Sequence, residues 1–278
     1  MKLNEINIRD PYILLHEGKY YLFGTKNWGC GKVPGFDCYI SEDLEDFSKP
    51  VNAFSYYEGF MCKKEFWAPE VHFYNGKFYM FATFHPENER RGTYILVSDK
   101  PEGPYALHSE RITPSEWECL DGTLYVEDGV PYMVFCHEWA QIGNGTVCGI
   151  RLSFDLKKSE GEPFLLFDAK SAPWVGNIFD KEAYVTDGPF MVKREDKLLC
   201  LWSSFGKCGY DGGYAVGLAV SQSGKLKGPW EHSDKPLYDE DGGHGMLFKT
   251  KEGKEIFTFH TPNNPPGAER PCFIKLDI

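Results

Sequence analysis

Apolar residues along the chain fall into short runs of about five to eight, some alternating with polar residues and some unbroken, and pairs of runs are joined by turns that carry Gly or Asp. The pattern recurs five times. Asp10-Pro-Tyr-Ile-Leu-Leu precedes Gly18-Lys-Tyr-Tyr-Leu-Phe, Pro69-Glu-Val-His-Phe precedes Gly76-Lys-Phe-Tyr-Met-Phe, and Asp121-Gly-Thr-Leu-Tyr precedes Gly129-Val-Pro-Tyr-Met-Val. Asp187-Gly-Pro-Phe-Met then precedes Lys197-Leu-Leu-Cys-Leu, and His244-Gly-Met-Leu-Phe precedes Gly253-Lys-Glu-Ile-Phe. Each pair reads as a β-hairpin, two apolar strands around a turn. Third strands follow at Phe36-Asp-Cys-Tyr-Ile-Ser, Gly92-Thr-Tyr-Ile-Leu-Val-Ser, Val147-Cys-Gly-Ile-Arg-Leu-Ser and Tyr214-Ala-Val-Gly-Leu-Ala-Val-Ser. Gly103-Pro104-Tyr105 and Gly228-Pro229-Trp230 suit outer edge strands, where Pro removes no needed donor. Helix patterns are sparse, so the spacing predicts an all-β, five-bladed β-propeller with its site at one end of the central channel.

Near the front of the five copies stand Asp10, Glu70, Asp121, Asp187 and His244. If the innermost strands start in register, these residues converge on the channel. Carboxylates gathered in one site raise one another's pKa at a cost in stability, whereas catalysis uses one protonated and one ionised carboxyl. Asp10 also reads as a turn Asp before Pro, and Asp121 as an Asp-Gly turn.

A chain of 278 residues without a Pro/Ser-rich linker reads as one domain, 1–278, because a propeller absorbs length by repetition. A net charge of -11 with scattered Lys and Arg argues against nucleic acid, and an uncharged oligomer is the better partner. Nine cysteines without CxxC pairs read as reduced, buried thiols. Met1 to Asp10 run into the first repeat with no leader-like stretch, and no apolar run reaches membrane-spanning length. The expectation is a cytoplasmic protein with no membrane partner and an open oligomeric state.

Arg9-Asp10-Pro11, Trp67-Ala68-Pro69-Glu70, Leu120-Asp121-Gly122, Asp187-Gly188-Pro189 and Gly243-His244-Gly245, in this order from about residue 8 to 274, resemble glycoside hydrolase family 43. The resemblance implies a five-bladed propeller that hydrolyses arabinose- or xylose-containing glycans with inversion. It implies Asp10 as general base and Asp121 as the third acid that keeps the general acid protonated. Asp187 stands where the family usually has Glu, one methylene longer. It is the expected acid, with Glu182 and Glu138 as alternatives and loss of catalysis in a sugar-binding propeller as a third outcome. His244 matches a histidine at the pocket floor beside a central calcium or sodium ion, although one His is a poor site for a hard cation and backbone partners also account for it.

Trp28, Trp67, Trp139 and Phe205 flank inner strands and are candidate sugar platforms, with interblade filling as the other reading; Glu70 and Glu138 are candidate sugar-binding carboxylates. Arg270 resembles the family's pocket arginine, or else pairs with Glu269. The expected activity is exo removal of a terminal α-L-arabinofuranose or β-D-xylose from short oligosaccharides; endo-arabinanase action and non-catalytic sugar binding are the alternatives. A fructan-cleaving propeller is disfavoured because its opening nucleophile motif is missing, and a WD-type propeller because Trp-Asp strand ends are missing.

Overall fold

The structure is a computed structural model that describes residues 1–26, 34–207, 213–276 and 278. The described strands form five antiparallel sheets, each in simple sequence order. Blade one comprises β1 (Ile8–His16), β2 (Lys19–Lys26), β3 (Gly35–Ser41) and β4 (Val51–Ser55). Blade two comprises β5 (Trp67–Tyr74), β6 (Lys77–Phe84), β7 (Gly92–Ser98) and β8 (Ala106–Leu107). Blade three comprises β9 (Cys119–Glu127), β10 (Val130–His137), β11 (Thr146–Leu152) and β12 (Ser159–Asp168). Blade four comprises β13 (Asp187–Arg194), β14 (Lys197–Phe205), β15 (Tyr214–Ser221) and β16 (Trp230–His232). Blade five comprises β17 (Gly243–Lys249), β18 (Glu255–Thr261) and β19 (Arg270–Ile274). The arrangement is the five-bladed β-propeller that the repeats predict.

The second strands of blades one to four read as largely apolar runs because both of their faces are buried, each against a different blade. In β14, Leu198, Cys200 and Trp202 pack with Val134 and Cys136 of blade three. The alternate residues Leu199 and Leu201 pack with Phe257 and Phe259 of blade five. In β6, Met80 and Phe84 join Phe23, Phe36 and Phe54 of blade one, while Tyr79 and Phe81 join Met133 and Phe135 of blade three. Most of the aromatic residues are therefore interblade filling, Trp202 among them.

The ring is closed by polar contacts between the first residues and blade five. Asn7 Nδ2 donates to the carbonyls of Gly267 and Glu269, at 2.9 and 2.7 Å. Arg270 Nε donates to the Asn4 carbonyl at 3.0 Å, and its Nη1 to the Glu269 carbonyl at 2.7 Å. This corrects the sequence expectation for Arg270. Carbonyls of the closure hold its guanidinium away from the pocket, and Glu269 pairs with Arg9 instead. Arg270→Ala is expected to cost about 1–2 kcal/mol of stability, seen by calorimetry as a melting temperature lower by several degrees, with kcat unchanged. Loss of kcat with an unchanged melting temperature would contradict this placement.

Candidate active site

Every first strand carries the same irregularity at its front. The ladder slips between Arg9 and Tyr12, Trp67 and Glu70, Asp187 and Phe190, and Gly243 and Met246, and in blade three across from Val134 and Cys136. The slipped residue has positive φ in each blade: Asp10 at 51°, Ala68 at 45°, Asp121 at 58°, Gly188 at 50° and His244 at 48°. Pro or Gly follows it each time, as Pro11, Pro69, Gly122, Pro189 and Gly245. Successive residues of a regular strand face opposite sides, but a bulge with one left-handed residue re-aims its side chain. Two adjacent residues per blade can then reach the same channel mouth. The pocket is built this way, from Arg9, Trp67, Leu120 and Asp187 just before the bulge and Asp10, Asp121 and His244 within it.

This register corrects the expected equivalence of the five ionisable residues. Asp187 stands one position before the bulge, level with Arg9, and Gly188 takes the left-handed position. A side chain at Gly188 would meet the His244 ring, with its Cβ 2.6 Å from the ring carbon Cδ2. Glu70 stands two positions past Ala68. It is buried beside His72, with Oε2 3.2 Å from His72 Nε2, and does not line the pocket. Glu182 also lies away from the pocket, in an ion pair with Lys170 at 2.9 Å.

The ionisable residues of the site differ sharply in charge preference. Burial alone would raise the Asp10 pKa, but His244 and Arg9 together with a hydrogen bond from Thr25 hold it below the ordinary carboxylate value. Thr25 Oγ1 donates to Asp10 Oδ2 at 2.6 Å. Asp187 is pushed the other way, up to about 7, by burial and by the nearby Asp121 charge, with Glu138 adding to the rise. Tyr214 O–H donates to Asp187 Oδ2 at 3.0 Å. Burial also raises Asp121, to about 6, with His244 opposing and Asp10 adding to the rise.

His244 Nδ1 lies 3.2 Å from Asp10 Oδ1 and 3.6 Å from Asp121 Oδ2. Burial works against its charged form, but Asp10 and Asp121 outweigh this and raise its pKa. The two carboxylates therefore favour the protonated form of the ring. Among the described residues no three His, Cys, Asp or Glu side chains are grouped to hold an ion.

His260 is kept neutral, with its pKa lowered to about 3 by burial and by Arg9. Its Nδ1 accepts the Asp10 N–H at 3.1 Å, so the ring proton sits on Nε2, 3.3 Å from Asn263 Oδ1. Arg9 donates to Asn263 Oδ1 at 2.7 Å and to Glu269 Oε1 at 3.0 Å.

The walls are apolar or aromatic: Trp67, Trp139, Ile178, Val185 and Phe205 line a cavity of about 280 Å3. Trp139 begins a short helix, Trp139–Ile142, and Glu138 just before it lines the pocket and pairs with Arg91. The Arg91 guanidinium lies 4.4 Å from the Trp67 ring centre, and burial raises the Glu138 pKa against the pull of Arg91. Of the expected platforms, Trp67, Trp139 and Phe205 come together here; Trp28 lies outside the described residues. Sequence reasoning missed Arg9, Thr25, Leu120, Ile178, Val185, Tyr214 and Asn263. For Arg9 and Leu120 a signal was present, since each precedes the Asp of a motif as Trp67 precedes Ala68.

The family model described as glycosyl hydrolases family 43 matches residues 4–275. The chain is similar to an extracellular exo-alpha-(1->5)-L-arabinofuranosidase of Streptomyces avermitilis, 22% identical over 276 residues, covering 91% of this chain and 54% of that protein. It is similar also to alpha-L-arabinofuranosidase 43 of Humicola insolens, 22% identical over 273 residues, covering 90% of this chain and 54% of that protein. The chain thus spans about half the length of these curated relatives. Among solved structures it resembles an endo-arabinase from Bacteroides thetaiotaomicron, with 40% identity and a TM-score of 0.92 over 100% of this chain and 97% of that one.

Proposed function

This chain belongs to glycosyl hydrolase family 43, and from that premise we propose that it cleaves α-L-arabinofuranosyl linkages of short oligosaccharides by single displacement with inversion. The observation that carries this reading is one pocket in which Asp10 faces His244 and accepts from Thr25, which favour its ionised form, while burial and the nearby Asp121 favour the protonated form of Asp187. Asp10 takes a proton from water as the water oxygen attacks the anomeric carbon. Asp187 gives its proton to the glycosidic oxygen as the bond to the leaving sugar breaks. The Tyr214 hydroxyl occupies Oδ2 of Asp187, which leaves Oδ1 to carry the transferable proton. Burial and Asp121 raise the proton affinity of Asp187, and His244, with Nδ1 3.2 Å from Asp10 and 3.6 Å from Asp121, favours the charged forms of both. Solvent then resets both acids, and no covalent sugar intermediate forms.

A cavity of about 280 Å3 lies at the lower end of ligand pockets, and this supports capture of a chain end, with β-D-xylosides as the neighbouring substrate class. Endo cleavage of arabinan is the second reading, favoured by the similarity to the endo-arabinase. Products from linear arabinan, from linear arabino-oligosaccharides and from aryl α-L-arabinofuranoside and β-D-xyloside decide between them. Arabinose as the sole early product supports exo action, and a ladder of oligosaccharides supports endo action. Failure to cleave any of these substrates would overturn the reading.

A further inference from the structure

The N–H groups of the five bulge residues find their partners by one rule with one exception, and the exception falls on the acids. Across the ladder from the residue before each bulge stands a second-strand residue: Thr25, Thr83, Cys136, Ser203 or His260. Four of these side chains accept the N–H of the bulge residue in the next blade. Ala68 N–H donates to Thr25 Oγ1 at 2.7 Å, Asp121 N–H to Thr83 Oγ1 at 2.9 Å, His244 N–H to Ser203 Oγ at 2.7 Å, and Asp10 N–H to His260 Nδ1 at 3.1 Å. The fifth slot holds Cys136, whose thiol is a weak acceptor. There the Gly188 N–H turns to Asp121 Oδ2, at 2.9 Å.

We propose that this ring of side chains is the positioning device of the site, with Thr83, Ser203 and His260 placing Asp121, His244 and Asp10. In the same device Cys136 leaves the Gly188 N–H to Asp121, which ties the third acid to the peptide that follows Asp187. The proposal rests on the reading of Asp10, Asp121 and Asp187 as the acids of the reaction. Its physical basis is that Asp10, Asp121 and His244 are non-glycine residues at positive φ, a strained backbone that persists only where its surroundings hold it. Their neighbourhood is buried, so each N–H needs a partner. Asp187 gains most from the arrangement. With one rotatable bond fewer than Glu, its carboxyl is placed largely by its backbone, and Asp121 grips that backbone through Gly188.

Three variants test the ring, each with kcat and KM on an arabino-oligosaccharide and a melting temperature. Thr83→Val keeps the shape and removes the acceptor, whereas Thr83→Ser keeps the acceptor and removes the methyl. The expected result is kcat about tenfold lower in Thr83→Val with KM nearly constant, and recovery in Thr83→Ser. A packing role gives the reverse order and overturns the proposal. Cys136→Ser, nearly isosteric, offers the Gly188 N–H a new acceptor and is expected to lower kcat about tenfold at an unchanged melting temperature. Wild-type kcat in Cys136→Ser overturns the exception, and this variant carries the test if Thr83→Val does not fold. An active wild type with unaffected variants refutes the ring alone, and an inactive wild type refutes the functional reading together with it.

Discussion

Asp10→Asn is expected to lower kcat about 10³-fold, and equally on aryl arabinofuranosides and on natural oligosaccharides. Both substrates need water to be deprotonated as it attacks, whatever the leaving group. The substitution preserves shape, and Thr25 Oγ1 retains an oxygen acceptor at the 2.6 Å position, so the fold should hold. KM should change little, because Asp10 acts on water and contributes mainly in the transition state. A second effect follows from charge. His244 loses the carboxylate 3.2 Å from its Nδ1, so its pKa should fall, which NMR titration of the ring reads directly. Near-wild-type turnover of the aryl substrate would remove Asp10 from the role of base.

Asp187→Asn is expected to separate the substrates. An aryl leaving group departs with little protonation, so its hydrolysis should survive, while cleavage of the unactivated oligosaccharide should fall about 10³-fold. In the wild type the same group should set the alkaline limb of the oligosaccharide rate near pH 7, since the proton that Asp187 donates is lost above that value. The variant should lack this limb on the aryl substrate. Stability should move the opposite way. The Asp187 pKa is raised in the folded state from 3.8 to about 7, so the folded form is fully favoured below about pH 4 and loses that advantage as pH rises to about 7. The Asn variant should therefore melt like the wild type at pH 4 and at a higher temperature than the wild type at pH 8. Equal loss on both substrates, or a variant destabilised at pH 8, would contradict the assignment.

The propeller was legible because its signals are local. Gly18, Gly76, Gly129 and Gly253 mark the hairpin turns at positive φ, and runs such as Leu198 to Trp202 show strands buried on both faces. Register at the site was less legible, because a bulge is a one-residue event that the hydrophobic pattern does not record. Aligning the copies on their acids puts Glu70 and Asp187 level with Asp10, whereas aligning them on the following Pro or Gly puts Ala68 and Gly188 there, as in the structure. The Pro or Gly marks the bend, and the acid marks only what the bend is used for. Arg270 failed for a different reason. Its motif says nothing of which carbonyls lie nearby after the ring closes, and Asn4 lies 266 residues away along the chain. Tyr214 and Asn263 reach the pocket from the start of β15 and the loop after β18, and nothing in their local sequence distinguishes them from packing or turn residues.

A single displacement needs Asp10 and Asp187 to act as a pair, and the anomer of the first product tests this most directly. Proton NMR of the wild type acting on a linear α-1,5-arabino-oligosaccharide should show the β-anomer of the newly formed arabinose end first, with the α-anomer growing in only by mutarotation. Appearance of the α-anomer first would mean a double displacement through a covalent intermediate, and the assignment of Asp10 as base to water would be wrong.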